Sequence, residues 1–216
     1  MPDESTSLFA RLVDFGFQQL YTRLAWTYDL VAAGVSFGEW QSWGRCAIPH
    51  LRGRRVLELA HGPGHLHLSL RRLGYAAAAI DLSWQMGVNA LDRLERAGLD
   101  GTLARADARH LPFPDRSFDS LVSTFPTRFI FEPEALSEAR RVLARGGALV
   151  VVPGAAWTGT RPAERLAGSL LRATSGRGMP LEEVRGAFEE AGFGFHVQHA
   201  DTRRARVFVW VCPRTD

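Results

Sequence analysis

The sequence is poor in cysteine and contains no lysine. Its two cysteines, Cys46 and Cys212, lie far apart and fit neither a disulfide framework nor the spacing of zinc ligands. We expect both to be small apolar side chains that fill the interior. All 26 basic residues are arginine, yet the formal net charge is only +3. Because these arginines are scattered among acids, they do not predict a nucleic-acid partner.

Long apolar runs and a targeting signal are also missing. No stretch approaches the ~20 uninterrupted apolar residues that a membrane-spanning helix needs. Residues 1–5 are acidic where a secretory signal would be basic, so we expect a cytoplasmic protein without a membrane span. The length of 216 residues, 46% of them hydrophobic, suits what is effectively one medium-sized domain with a substantial core.

The first fifty residues have the apolar spacing of helices. An irregular apolar stripe runs through them at helical intervals, which predicts a helical N-terminal cap over residues 1–50. The remaining residues, 51–216, form the predicted main domain. Trp40 and Trp43 are three positions apart at the end of the cap, and we expect them to pin the cap to the core.

From Arg54 onward the pattern changes to short apolar runs that alternate with amphipathic helices. The predicted strands cover residues 56–60, 75–81, 102–106, 118–124, 148–152, 193–200 and 205–212, and the predicted helices cover 65–73, 83–97, 133–145 and 181–191. Residues 154–180 form a polar insertion with one short predicted helix at 163–173.

This alternation indicates an α/β fold. It favours a Rossmann-like, seven-stranded, mostly parallel sheet with helices on both faces. The last two predicted strands are joined by only a few residues, whereas a parallel crossover needs a dozen or more. We therefore expect the C-terminal strand to run antiparallel to its neighbours.

Three predicted strands end in residues that suit a nucleoside. Residues 58–64, with sequence ELAHGPG, follow the first strand and precede a helix, and glycines there let the backbone approach a ligand closely. Asp81 ends the second strand, where a carboxylate can accept hydrogen bonds from both ribose hydroxyls. Asp107 follows the third strand and can accept a hydrogen bond from an adenine amino group.

Two further segments carry a family resemblance. Residues 107–119 read DARHLPFPDRSFD and residues 138–147 read EARRVLARGG. With the strand ends, they resemble the class I S-adenosylmethionine (SAM)-dependent methyltransferases, especially the group that contains ubiquinone/menaquinone-biosynthesis methyltransferases (methyltransferase type 11). The resemblance covers residues 56–152 with high specificity and residues 190–193 with less. It implies transfer of a methyl group from SAM to a small-molecule acceptor, with S-adenosylhomocysteine as the product.

The resemblance also implies which residues meet the cofactor. The pocket for the methionine portion would consist of Glu58, Ala60, His61, Gly62 and Gly64, and the ribose would be bound by Asp81. The adenine would be contacted by Leu82, Met86, Asp107 and Ala108, and the methyl group would lie near Thr124 and Phe125.

Several of these residues have a structural alternative. Ala60 stands where the family usually has its first glycine, so the backbone approaches the cofactor less easily there. Leu82 and Met86 are four positions apart and could equally be core residues. Glu58 could cap neighbouring backbone amides, because a carboxylate that ends a buried strand needs a partner in either case.

The sequence does not identify a catalytic residue. Because the sulfonium already makes the methyl group electrophilic, orientation of the acceptor for in-line displacement supplies much of the catalysis. A base is needed only if the acceptor must first lose a proton, and the candidates are His61, His65, Tyr21 and Tyr28. No metal is expected, because side chains two apart on a helix point in different directions, as at positions 65 and 67.

Three alternative functions remain open from the sequence. A nicotinamide-dependent oxidoreductase also has Gly-x-Gly after a strand, but His67 occupies the third glycine position here. A SAM-binding protein without turnover would have the same motifs. A methyltransferase that acts on DNA amino groups usually has Asn/Asp-Pro-Pro-aromatic after the fourth strand, where this chain has residues 123–126, STFP. The sequence determines neither the acceptor nor the oligomeric state.

The acceptor pocket is predicted to be enclosed and apolar, as small-molecule sites usually are. The cap at residues 1–50 should cover the cofactor, and the insertion at residues 154–180 should form the opposite wall. The predicted aromatic and aliphatic lining consists of Phe125, Phe129, Ile130, Phe131 and Trp157.

We therefore predict that oligonucleotides are not substrates. Duplex and single-stranded oligonucleotides should bind only at low salt, because non-specific binding of phosphates weakens steeply as salt rises. Fluorescence anisotropy at low and physiological ionic strength measures this. Affinity that survives at physiological salt, together with methylation of the oligonucleotide, would contradict the small-molecule assignment.

Overall fold

The computed structural model describes residue 36, residues 38–158 and residues 180–216. The strands in this part of the chain are β1 (Arg55–Leu59), β2 (Ala76–Asp81), β3 (Thr102–Arg105), β4 (Phe118–Thr124), β5 (Leu143–Trp157), β6 (His196–Asp201) and β7 (Ala205–Pro213). The α-helices are α1 (Trp40–Arg45), α2 (His65–Arg72), α3 (Trp84–Arg96), α4 (Pro133–Val142) and α5 (Leu181–Glu190), with short 3-10 helices at Ile48–His50 and Arg128–Phe131. The helix predicted at 163–173 and most of the predicted cap lie outside the described residues.

All seven strands belong to one sheet, with the order β3-β2-β1-β4-β5-β7-β6. The first five are parallel to one another, and β7 is antiparallel to both β5 and β6. The predicted fold class is confirmed, including the antiparallel C-terminal strand. The strand order reverses direction between β1 and β4, which is where ligands bind in open α/β sheets.

The two faces of the sheet carry separate cores. Leu57 and Leu59 of β1 belong to the core that also contains residues of α4 and α5. Val56 points to the opposite core, which contains Trp43 of α1 and Leu66 of α2. Because side chains alternate along a strand, Glu58 lies on the same face as Val56, beneath α2. This alternation places a carboxylate inside the second core.

The residues at the ends of α2 and α3 have the hydrogen bond and the backbone conformations that suit a helix end. The hydroxyl of Ser83 accepts a hydrogen bond from the backbone N–H of Met86, at 3.4 Å, and caps α3. Gly74 and Gly98 follow α2 and α3 with φ of +76° and +65°, a conformation that costs glycine little.

Both cysteines are free, and burial raises the pKa of the Cys212 thiol.

The predicted end of α4 is wrong. The helix stops at Val142, and β5 begins at Leu143 and continues to Trp157, so residues 154–157 are strand and not insertion. A distant residue explains the early end of the helix. The Arg214 guanidinium donates hydrogen bonds to the carbonyls of Arg140 and Leu143, which satisfies acceptors at the helix C-terminus. The strand predicted at 193–200 also begins later, at His196.

The segment with the family-like sequence 107–119 is fastened by one arginine. The Arg141 guanidinium donates to the carboxylates of Glu138 and Asp115 and to the carbonyls of Leu111 and Phe113. These carboxylates raise the pKa of Arg141 above its usual range. Hydrogen bonds to a charged group are stronger than neutral ones, so this network holds the loop before β4 against α4.

In the described residues, the structure contains no helix that is both long enough and apolar enough to cross a bilayer.

In the described part of the chain, three residues other than glycine have a positive φ, and Ala60 is one of them, at +55°. The left-handed conformation costs an L-residue about 1–2 kcal/mol. Glycine removes that cost but loses about 0.4–1 kcal/mol through greater freedom of the unfolded chain. Ala60→Gly should therefore stabilise the fold by roughly 0.5–1 kcal/mol and raise the Tm by roughly 1–4 °C.

Differential scanning calorimetry of the variant checks this prediction. Ala97→Gly is the matched control, because Ala97 has an ordinary φ of −90° and gains nothing from glycine. An equal rise in Tm for both variants, or a fall for Ala60→Gly, would show that the backbone at residue 60 is not strained.

Candidate functional site

A small cleft opens where β1 and β4 end. Its volume is about 40 Å³, enough for a few water molecules, each of which needs roughly 10–15 Å³. The lining comes from α1, the loop after β1, the start of α2 and the end of β4: Trp40, Gln41, Gly44, Glu58, Ala60, His61, Gly62, Pro63, His65, Leu66, Thr124 and Phe125. The cleft therefore lies at the point where the strand order predicts a ligand.

The loop after β1 is shaped by two glycines with different surroundings. Gly62 has φ of +53°, and no described atom lies within 4 Å of the position that a Cβ would occupy. Gly64 also has a positive φ, but a Cβ there would lie 2.7 Å from the Cβ of Ala90 in α3. Gly62 thus leaves the backbone open towards the cleft, whereas Gly64 allows α2 and α3 to pack closely.

Asp81 fastens this loop to the end of β2. Its Oδ2 accepts a hydrogen bond from the Gly62 N–H at 2.9 Å, and its Oδ1 accepts one from the Ser83 N–H at 2.8 Å. A carboxylate offers about four acceptor positions, so two remain for a ligand. The residue predicted to hold a ribose is therefore also a structural support for the loop beside it.

The four predicted adenine contacts have different surroundings. Leu82 is 60% exposed and can pack on a ligand, whereas Met86 is fully buried on the inner face of α3, which favours core packing for Met86. The Asp107 carboxylate accepts hydrogen bonds from the Arg109 guanidinium, and these bonds lower the pKa of Asp107. Ala108 is partly buried and packs against the core next to α4.

Phe125 follows β4 in an unusual conformation. Its φ is +51°, which is rare for a bulky residue. The Phe125 N–H donates to the Val152 carbonyl at 2.7 Å, and the ring stacks on Trp40 with the centroids 3.8 Å apart. Thr124 lies close to α1, since a Cβ added at Gly44 would be 3.7 Å from its Cγ2. These contacts bring an aromatic pair to the rim of the cleft.

The predicted aromatic wall is only partly correct. Trp157 packs against Trp43, at 5.2 Å between centroids, on the same face as Phe125. Phe129, Ile130 and Phe131 instead pack into the core on the opposite face of the sheet. The 3-10 helix at Arg128–Phe131 accounts for this difference, because it turns these side chains back towards α4 and α5.

Two candidate bases lie at the cleft. His61 is nearly buried, and its Nδ1 lies 2.6 Å from the Gly62 carbonyl oxygen. Since a carbonyl can only accept, Nδ1 must carry the proton, and a neutral His61 has its lone pair on Nε2. His65, the first residue of α2, also lines the cleft. Tyr21 and Tyr28 lie outside the described residues.

Sequence reasoning missed the importance of His67. This residue is fully buried in α2, and its Nδ1 lies 3.5 Å from Oε2 of Glu58, which is also buried. It missed Gln41 as well, which lines the cleft from α1 and has no sequence signal beyond lying beside Trp40. No group of three or more potential metal ligands occurs among the residues that the structure describes.

Comparison with known proteins identifies related sequences. Residues 56–147 match the family model described as a methyltransferase domain. A demethylmenaquinone methyltransferase of Thermus thermophilus is 37% identical over 139 residues, which cover 62% of this chain and 63% of that protein. A phosphatidylethanolamine N-methyltransferase of Cereibacter sphaeroides is 41% identical over 104 residues, which cover 47% and 51%. The matched part thus spans between about half and two thirds of these curated relatives.

The fold is also found in solved structures. Geranyl diphosphate C-methyltransferase from Streptomyces coelicolor, in complex with Mg²⁺, geranyl diphosphate and S-adenosyl-L-homocysteine, matches with a TM-score of 0.62. The match covers 81% of this chain and 79% of that chain, at 13% sequence identity. At this identity the likeness concerns the fold alone.

The geometry at Asp81 leads to a binding prediction. Asp81→Ala should weaken binding of S-adenosylhomocysteine by about 10-fold or more, because hydrogen bonds to a charged group each contribute about 1.5–3 kcal/mol. Isothermal titration calorimetry measures the Kd. Asp92→Ala is the control, since Asp92 is exposed and pairs with Arg96 within α3. An unchanged Kd in Asp81→Ala would contradict the ribose assignment.

Proposed function

We propose that this chain, whose residues 56–147 match the family model described as a methyltransferase domain, transfers the methyl group of SAM to a small, largely apolar acceptor. The observation that carries the proposal is the convergence of Glu58, Gly62 and Asp81 with the rim residue Phe125 at one edge of the sheet. The two carboxylates and the accessible backbone at Gly62 can contact the polar parts of a ligand. The aromatic ring of Phe125 lies beside them.

The residues present fit the cofactor. Glu58 lines the cleft, so its carboxylate can face the ammonium group of the methionine portion. The open space above Gly62 leaves room for the backbone to approach that portion. Asp81 has free acceptor positions for ribose hydroxyls, and Leu82 presents an exposed apolar side chain for the adenine.

SAM supplies an electrophilic methyl group, so the task of the chain is mainly to orient the acceptor. Orientation alone can provide effective molarities on the order of 10⁵–10⁸ M in favourable cases. The stacked rings of Trp40 and Phe125 provide a flat apolar surface at the rim, which suits an apolar acceptor better than a charged one. The two relatives described above are named after demethylmenaquinone and phosphatidylethanolamine. Both compounds are lipid-like, which supports an apolar acceptor here.

His61 is the best placed group if the acceptor must lose a proton. The hydrogen bond from its Nδ1 to the Gly62 carbonyl fixes the tautomer, so that Nε2 carries the lone pair that a general base needs. His61 also lines the cleft. We assign it the role of accepting the proton from the acceptor.

Transfer of radiolabelled methyl groups from SAM to lipid and aqueous fractions of a cell extract tests the proposal. Label in an apolar product is the expected result, and mass spectrometry of that product identifies the acceptor. Tight binding of SAM with no transfer to any fraction would favour the alternative of a SAM-binding protein without turnover. Binding of NAD in place of SAM would favour the oxidoreductase.

The assignment of His61 predicts a specific loss of turnover. His61→Gln should lower kcat by about 10²–10⁴-fold, the usual contribution of a general base, while the Kd for S-adenosylhomocysteine stays within about threefold. His65→Gln is the matched control at the same rim and should keep most of its kcat. A fall in cofactor affinity without a fall in kcat would instead make His61 a cofactor ligand.

A further inference from the structure

Glu58 and His67 form a buried polar pair beneath the cleft. Glu58 is 1% exposed and His67 is 0% exposed, and Glu58 Oε2 lies 3.5 Å from His67 Nδ1. Among the residues that the structure describes, neither ring nitrogen of His67 has a hydrogen-bond partner, and neither does Glu58 Oε2. The pair is enclosed by the apolar core that contains Val56, Leu66 and Leu70.

The burial of these groups restricts what they can do. A buried carboxylate without a hydrogen-bond partner is strongly destabilised. The Glu58 carboxylate is therefore stabilised by a donor that faces it. His67 places Nδ1 3.5 Å from Oε2, and a movement of well under 1 Å would bring the two atoms to hydrogen-bond distance.

We propose that His67 is a positioning residue that holds the Glu58 carboxylate in the orientation in which it faces the methionine portion of SAM. His67 donates from Nδ1 to Oε2, and the other side of the carboxylate faces the cleft. His67 acts only through Glu58 and does not touch the cofactor. This inference rests on the proposed function, because it presupposes that SAM occupies the cleft.

The simpler interpretation is that His67 only fills space in α2. The two interpretations differ in which part of the ligand is affected. A positioning residue affects binding of the amino-acid portion, whereas a loss of packing disturbs the whole site. S-adenosylhomocysteine carries both the nucleoside and the amino-acid portion, and 5′-methylthioadenosine carries the nucleoside without the amino acid. The ratio of their Kd values therefore isolates the contact made by Glu58.

The test measures both Kd values by calorimetry for the wild type, His67→Leu and His67→Asn. His67→Leu removes the donor and should weaken binding of S-adenosylhomocysteine by about 10- to 100-fold, while 5′-methylthioadenosine changes less than about threefold. His67→Asn keeps an N–H at the position of Nδ1 and should restore most of the affinity. Leu82→Ala is the contrasting control, because Leu82 is exposed and would contact the adenine that both ligands carry, so it should weaken both ligands alike.

A double-mutant cycle completes the test. In a Glu58→Gln background, His67→Leu should have no further effect on the ratio, because the charge through which His67 acts is gone. This double variant also remains informative if His67→Leu alone does not fold, since it leaves no carboxylate buried without a partner.

The outcomes separate the two proposals. Equal weakening of both ligands by His67→Leu, failure of His67→Asn to restore binding, or a wild-type ratio in the double variant would overturn the role of His67. Failure of the wild-type protein to bind either ligand would instead overturn the proposed function.

Discussion

The Asp81 carboxylate accepts hydrogen bonds from the backbone N–H groups of Gly62 and Ser83, and these two bonds fix the positions of the residues around the cleft. They join the ends of β1 and β2, and a bond from the His61 N–H to the Ile80 carbonyl reinforces that join. The left-handed turn at Ala60 fits between these fixed points. Since the loop is tied down before any ligand arrives, little conformational entropy is lost on binding. The cleft, the candidate base and the buried pair all depend on this loop.

Most of the fold could be predicted because its signals are local. The strand predicted at 118–124 matches β4 residue for residue, and Ser83 caps α3 as its side-chain chemistry predicts. The end of α4 could not be predicted, because its carbonyls bond to Arg214, 71 residues beyond Leu143. A long-range cap leaves no local trace, and the glycines at 146–147 suggested a later end.

The candidate site could likewise be predicted from the sequence only in part. The residues at the strand ends, such as Asp81, could be predicted because parallel strands present their carboxyl ends at one edge. Leu82 and Met86 looked equivalent at a spacing of four, but Leu82 precedes the cap of α3 and Met86 follows it, so only Met86 obeys the helical period. The approach of His67 to Glu58 joins a helix to a strand across the core, and pattern alone does not specify such a contact.

The narrow cleft has a kinetic consequence. At about 40 Å³ the cleft between the described residues holds a few water molecules, so it can enclose a larger ligand only if the rim moves. The stacked pair of Trp40 and Phe125 stands at that rim, and Phe125 is held in a left-handed conformation. Association that requires such a rearrangement is slower than association with an open site. A ligand that becomes enclosed behind this aromatic pair must move the same rings to leave, so we expect slow exchange in both directions.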